Sequence, residues 1–331
     1  MRNKYKFYIA IVAASVLVIT TGTFMLLRTP APKPAPLPIE MGPQSIPGVP
    51  QFNTAKYSHE PEVVVWRADQ GIRERMFLEK YLEGVVAKEM QPTWPLEALR
   101  AQAIASRTLT LSAIDAGTIQ KLYGADVSTA KEELQAYAPE KVNDSVREAI
   151  RSTRGEVLLY AGSLVNAIYS ASNGQISATK EESFPLEISY QTPYFQPVVD
   201  DSFRYTPAEI QSWTVKISAA EVADAIGYSG NPGDITILEK GPSGRILYIG
   251  AGGKKVYGSD FRKRIGFDRL KSTLVTEMTY DGKYFIFKGL GWGNGVGLCQ
   301  WGAYAYSQDG LKAEDILKHY YIGANIVKLW D

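Results

Sequence analysis

Residues 81–107 read "YLEGVVAKEMQPTWPLEALRAQAIASR", two amphipathic helical patterns joined by a proline-rich turn. In the first pattern Leu78, Leu82, Val85 and Val86 form an apolar stripe. Glu89 is the next residue on it, while Glu79, Glu83 and Lys88 lie off it. The second pattern starts at Pro95 and stops at Gly117. Leu99, Ala103, Ile104 and Leu111 share its apolar face, with Arg107 near the middle. A charge carried into an apolar face is costly unless it finds a partner. The residues alone leave two readings open. Glu89 and Arg107 form a structural ion pair that locks the helices. Alternatively, Glu89 is a carboxyl group in an apolar cleft walled by Trp94 and two prolines, its pKa raised so that it donates a proton.

Outward from this stretch the elements are mixed. "EVVVWRA" reads as a strand, and "GIRERMFLEKYLEGVVAKEM" as a helix entered from a short strand or turn. "NDSVREAIRSTRG" reads as a helix from Asn143 or Asp144 to Gly155, followed by strands "EVLLY" and "SLVNAIYSAS" around the turn at 161–162. "SWTVKISAAEVADAIG" reads as a strand then a helix. Two hairpins follow, turning at "GPSG" and at the "DG" of "TYDGKYFIF". Two short helices, "CQWGAYAYSQDG" and "LKAEDILKHYYIG", end the chain. Strands and helices do not alternate regularly enough for a doubly wound sheet, so the fold class expected is α+β.

The N-terminus bears on location. "MRNKYK" is basic, and Phe7 to Leu27 carries no charge, about the 20 residues that a bilayer-spanning helix needs. The basic flank stays inside, and the following "LLRTPAPKP" is a poor cleavage context. The expectation is a cytoplasmic stub and transmembrane anchor over 1–28, a single pass in the cell membrane. A Pro-rich extracytoplasmic linker over 29–55 and an α+β domain over 56–331 follow.

Composition narrows the function. The chain has 331 residues, 45% hydrophobic and 21% charged, as in ordinary globular proteins. A net charge of +1 gives no electrostatic case for nucleic acid as the partner. The single cysteine, Cys299, excludes an intramolecular disulfide and a Cys-rich zinc site. The two histidines, His59 and His319, are far apart, which argues against a metal site and a Ser-His-Asp triad. "GLGWGNGVGLCQWGA", residues 289–303, places glycine at every second position from 289 to 297, between Trp292 and Trp301. It matches neither a phosphate loop nor a dinucleotide fingerprint. A bare backbone flanked by aromatic faces suits a flat polar polymer such as a glycan. A glycine-rich bulge with core tryptophans fits the pattern equally.

Together these stretches resemble the stage II sporulation protein D (SpoIID/LytB) family. The resemblance runs from "EVVVWRA" through "LEKYLEGVVAKEMQPTWPLEALRAQAIASRTLTL" and "TRGEVLLYAGSLVNAIYSASNGQ" to "GLGWGNGVGLCQWGAYAYSQDGLKAEDILKHYYIGANI". It implies a membrane-bound lytic transglycosylase acting on peptidoglycan strands already stripped of peptides, beside an amidase and other proteins of forespore engulfment. By the resemblance, the catalytic acid is the Glu of the "GVVxxEM" pattern, here Glu89. The Arg of the "AQAxAxRT" pattern, here Arg107, also belongs at the active site. The candidate substrate-binding residues are Trp292, Asn294, Gln300 and Trp301 in the last motif and Ser172 and Asn173 in "YSASNGQ". No cofactor is implied.

This chemistry suits a lone carboxyl. A glycosidase ordinarily uses two carboxylates. A lytic transglycosylase needs one, because the muramic acid's own 6-hydroxyl attacks and leaves a 1,6-anhydro end. The sequence departs from the family pattern at two places: Asn294 stands where His is usual and Cys299 where Ser is usual. Asparagine hydrogen-bonds a sugar but cannot shuttle a proton. Some members carry zinc on His and Cys near "YSASNGQ"; here Tyr169 holds the His-like place with no Cys beside it, so no zinc is expected. The alternative function is a non-catalytic glycan-binding scaffold or amidase enhancer.

Overall fold

The computed structural model describes residues 45–131 and 133–331. The anchor expected over 1–28, and residues 29–44 of the linker, lie outside the described residues. No described helix is long and apolar enough to cross a membrane. The end of the Pro-rich segment is packed rather than free. Ile46 is buried, Phe52 stacks on Tyr57 with ring centroids 5.3 Å apart, and Phe52 N–H donates to the Gly162 carbonyl at 2.9 Å. The packed unit thus begins before residue 56, since Pro50 and Gln51 also find partners on the 161–163 turn.

The first strand, β1 (Glu62–Arg67), buries Val63 and Val65. It pairs antiparallel with β2 (Ile72–Phe77) and parallel with β3 (Val127–Ser128). Strand β2 runs directly into helix α1 (Leu78–Glu89); α2 (Leu96–Ala116) follows and ends on Gly117 in the left-handed region. Helix α3 (Asp144–Ser152) is capped by the Asn143 side chain, which accepts from Val146 N–H at 3.0 Å. Strand β4 (Glu156–Tyr160) turns through Ala161 and Gly162, both at positive φ, into β5 (Ser163–Leu164). The stretch 163–172, expected as one strand, yields only β5 and β6 (Tyr169–Ser170). Between them Asn166 N–H donates to the Tyr194 hydroxyl, and Ile168 N–H turns back to the Asn166 carbonyl at 2.7 Å.

A second apolar core follows. Strand β7 (Trp213–Ser218) leads into α4 (Ala219–Ile226). The first expected hairpin is β8 (Thr236–Lys240) with β9 (Ile246–Ala251), joined by β10 (Lys254–Tyr257). Helix α5 (Gly258–Ile265) precedes the second hairpin, β11 (Val275–Tyr280) with β12 (Tyr284–Gly289), and β12 also pairs with β7. Ile217, Ile246, Phe261, Phe285 and Phe287 fill this core, separate from the main one. The chain then returns: β13 (Leu298–Cys299) pairs parallel with β6, α6 (Gln300–Gln308) and α7 (Ala313–Tyr320) follow, and β14 (Asn325–Lys328) pairs with β4. Segregated small sheets and helices make the fold α+β.

Helix α2 is the hub of the main core, touching α1, α3, β4, α6 and α7. Every residue from Ala101 to Thr108 is buried, so α2 is enclosed all round rather than on one face. Its alanines let neighbouring backbones approach. Its polar side chains are paired: Thr108 Oγ1 donates to the Ile104 carbonyl at 2.7 Å and accepts from Leu158 N–H at 2.9 Å.

The glycine run is not a strand and no ligand is needed to explain it. What approaches its backbone is this chain. A Cβ on Gly295 would lie 2.2 Å from the buried Arg245 guanidinium, and one on Gly297 would lie 2.0 Å from the Ile168 carbonyl oxygen. Gly297 also has φ of 68°, which L side chains avoid. Gly297→Ala is therefore expected to destabilise the protein by at least about 1–3 kcal/mol. A melting temperature equal to wild type would show that the loop yields at no cost.

Candidate active site

Glu89 closes α1, half-buried, where the chain turns through Gln91 to Trp94 into α2. Its Oε1 accepts from Ala136 N–H at 2.7 Å, and its carbonyl accepts from the Gln300 side-chain amide at 3.0 Å. Burial pushes the carboxyl pKa up. The Ala136 N–H, then the Tyr169 hydroxyl, the Gln300 amide and the charge of Lys88 pull it down, but burial prevails. The negative end of the α1 dipole acts in the same upward direction. Burial beside the Glu89 carboxylate also holds the Tyr169 hydroxyl well above the usual tyrosine pKa, so it stays protonated.

A polar network behind Glu89 keeps these groups in place. Tyr169 hydroxyl donates to Gln135 Oε1 at 3.1 Å, and Gln135 Nε2 donates to Thr110 Oγ1 at 2.7 Å. Gln300 Nε2 also donates to Gln102 Oε1 at 3.2 Å, and Gln102 Nε2 donates to Ser106 Oγ at 2.9 Å. Two residues on one face of α2, Gln102 and Ser106, thus brace the far side of the site. Trp94, on the turn after Glu89, and Trp301, next to Gln300, are partly exposed, with ring centroids 4.6 Å apart.

The expected site residues divide. Glu89 and Gln300 come together, and Trp301 follows Gln300 in the chain. Asn294 borders them through the glycine loop. Its Nδ2 donates to the Tyr169 carbonyl at 3.1 Å and its Oδ1 accepts from Val296 N–H at 2.7 Å, so its amide braces the loop. Trp292 pairs through its backbone with Ser172, and the Lys271 ammonium lies 5.1 Å from its ring centroid. Ser172 and Asn173, expected as substrate contacts, are buried at 1% and 0% exposure. Asn173 Nδ2 donates to the Gly297 carbonyl at 3.1 Å, and its own carbonyl accepts from Arg245 Nη2 at 2.7 Å.

Arg107 is not brought to Glu89. Its Nε and Nη2 donate to the two carboxylate oxygens of Glu79 at 3.0 and 2.6 Å, and its Nη1 to the Glu156 carbonyl at 3.0 Å. Glu79 Oε1 also accepts from Gly155 N–H and Trp330 Nε1. Glu79 lies at the opposite end of α1 from Glu89, about 15 Å along the helix axis at 1.5 Å per residue. The ion pair foreseen for Arg107 exists, but with Glu79 as partner, and Arg107 is fully buried.

Sequence reasoning missed Tyr169, Gln135 and Gln102 as partners of the site. The i, i+4 spacing of Gln102 and Ser106 was a usable signal; Gln135 lies in an irregular segment and offered none. The zinc ligands of some family members do not fit here. Tyr169 directs its hydroxyl to Gln135, and among the described residues no three His, Cys, Asp or Glu side chains cluster to hold a metal.

A family model described as stage II sporulation protein matches residues 67–160, the segment that carries α1, α2 and Glu89. Stage II sporulation protein D of Bacillus amyloliquefaciens is 26% identical over 329 residues, covering 94% of this chain and 92% of that one. The chain belongs to the SpoIID family. Similarity within and around this SpoIID family reaches further. An uncharacterized protein of Brachyspira hyodysenteriae is 33% identical over 255 residues, 76% of this SpoIID chain and 66% of the relative, just under two thirds of its length. The amidase enhancer of Bacillus subtilis is 27% identical over 292 residues, 74% of this chain but only 40% of the enhancer. The glycine loop lies outside the segment that the family model matches, although the structure joins it to Glu89 through Gln300.

Proposed function

We propose that this protein is a sporulation cell-wall enzyme, a membrane-anchored lytic transglycosylase. It cleaves N-acetylmuramic acid–N-acetylglucosamine bonds in peptide-stripped glycan strands. One observation carries the reading: Glu89 is a half-buried carboxyl whose hydrogen-bond partners are neutral and whose pKa burial raises. Such a group holds a proton nearer to neutral pH than an exposed glutamate does. Glu89 gives its proton to the glycosidic oxygen as the bond to the muramic C1 breaks. The 6-hydroxyl of the same sugar bonds to C1 and returns a proton to the Glu89 carboxylate. The ring closes as a 1,6-anhydro end, no water is consumed, and the acid is restored. Gln300 and Ala136 N–H hold the end of α1 and the carboxyl in place.

The test uses the fragment from residue 45 onward, since Ile46 to Tyr57 pack on the domain. It is incubated with peptide-free glycan strands and the products are weighed by mass spectrometry. Anhydro-muramyl ends are expected from the wild type and not from Glu89→Gln. Intact strands with folded wild type would overturn the enzyme.

Tyr169 tests the tuning of the acid. Its hydroxyl pulls the Glu89 pKa down, so Tyr169→Phe is expected to raise that pKa further. Glu89 then keeps its proton to higher pH, and the alkaline limb of the pH–rate profile moves up. An unmoved limb would show that Tyr169 does not act through Glu89.

A second reading has one specific support, the similarity to a protein named amidase enhancer. In it the domain binds glycan and assists a peptidoglycan amidase without cleaving strands itself. Glu89→Gln would then leave amidase stimulation intact.

A further inference from the structure

Trp94, Trp301 and Tyr304 form a triangle of rings, with centroid separations of 4.6 Å for Trp94–Trp301, 5.6 Å for Trp301–Tyr304 and 5.2 Å for Trp94–Tyr304. Tyr205 continues it, 5.2 Å from Tyr304. Every pair is tilted or edge-on, with planes inclined by 54° to 68°, so no ring is stacked flat on another. All four are partly exposed, Tyr205 at 38%. Contiguous exposed aromatic surface is unfavourable in water and marks a contact surface more often than a defect.

The polar edges of these rings say what the contact is. Among the described residues, neither indole N–H nor either phenol hydroxyl has a hydrogen-bond partner. Elsewhere such groups are engaged: Trp213 donates to the Gly291 carbonyl and Trp330 to Glu79. An apolar ring face with a free donor at its rim matches a pyranose, which offers a C–H face and an edge of hydroxyl and acetamide oxygens. Charge points the same way. Arg204 lies 5.4 Å from the Tyr205 centroid, but it is paired with Asp201 and Asp309, so it fixes the ring and offers no free cation to an anion.

We propose that these four residues form a glycan platform that begins beside Glu89 and holds N-acetylated sugars away from the bond being cleaved. Trp94 lies on the turn that follows Glu89, and Trp301 follows Gln300, which holds the Glu89 carbonyl. A strand seated on the platform therefore reaches the carboxyl. The choice of polymer rests on the function proposed above, but binding to the platform does not require cleavage.

The test is calorimetric titration of the full chain, in mild detergent, with the N-acetylglucosamine hexamer. Wild type and Glu89→Gln are expected to bind alike. Tyr205→Ala is expected to weaken binding by about 2–10-fold, the worth of one aromatic contact, and Tyr205→Ala with Tyr304→Ala by more. Tyr205→Phe, which keeps the ring and loses the donor, is expected to lose less than Tyr205→Ala. Because Tyr205 is exposed, its variants should melt as wild type does. A hexamer that does not bind wild type, or binds the Ala variants equally well, overturns the platform. Platform-dependent binding without anhydro ends would overturn the transglycosylase and leave the platform standing. Anhydro ends without dependence on the two tyrosines would do the reverse.

Discussion

Glu89→Gln is expected to reduce release of 1,6-anhydro ends by about 10²–10⁴-fold, the usual worth of a positioned general acid–base. The same variant should be at least as stable as wild type at neutral pH. Burial raises the Glu89 pKa above its unfolded value, so the folded chain holds this proton more tightly than the unfolded chain. The stability linked to Glu89 is full below the ordinary glutamate pKa and is lost as pH rises through the higher folded value. Above the folded value the ionised carboxylate opposes folding, and the neutral amide removes that opposition. Product mass spectrometry and a denaturant melt at pH 7 read both effects. A variant that loses activity together with stability would instead assign Glu89 to the scaffold.

Arg107→Ala should behave in the opposite way. It leaves the Glu79 carboxylate buried with only the Gly155 and Trp330 N–H donors, and removing one partner of such a pair costs about 3–5 kcal/mol. That is a large share of a typical domain's stability. Glu79→Ala should cost a similar amount, because it strands the guanidinium. Replacing both with Met should recover much of the loss, since no uncompensated charge remains. Urea melts of the three variants make the comparison. Loss of activity in Arg107→Ala would then follow from loss of the fold. An Arg107→Ala protein that melts as wild type but forms no anhydro ends would return Arg107 to the chemistry.

Much of the fold was legible because it rests on local rules. The Pro95 start and Gly117 stop of α2, the Asn143 cap of α3, and the turns at 161–162 and 281–282 each depend on residues a few positions apart. The long strand expected over 163–172 is broken because its backbone at Asn166 and Ile168 is engaged by Tyr194 and the glycine loop, partners distant in sequence. The spacer ended too late for a similar reason: prolines mark extended backbone, but nothing local shows that Ile46 and Phe52 dock on another segment.

The candidate site divides along the same line. Helical periodicity alone places Glu89 on an apolar stripe and Arg107 in an apolar face. It did not determine their partners. Glu79 was set aside as lying off the stripe of α1, yet Gly155 and Trp330, 76 and 251 residues away, cover that side of the helix and bury it. A one-face stripe also misrepresents α2, which is enclosed all round. The packing of distant segments pairs Arg107 with Glu79 and gives Glu89 a neutral shell of Ala136, Tyr169 and Gln300. A buried charge is tolerated through whatever lies against it in space, and sequence period does not encode those neighbours.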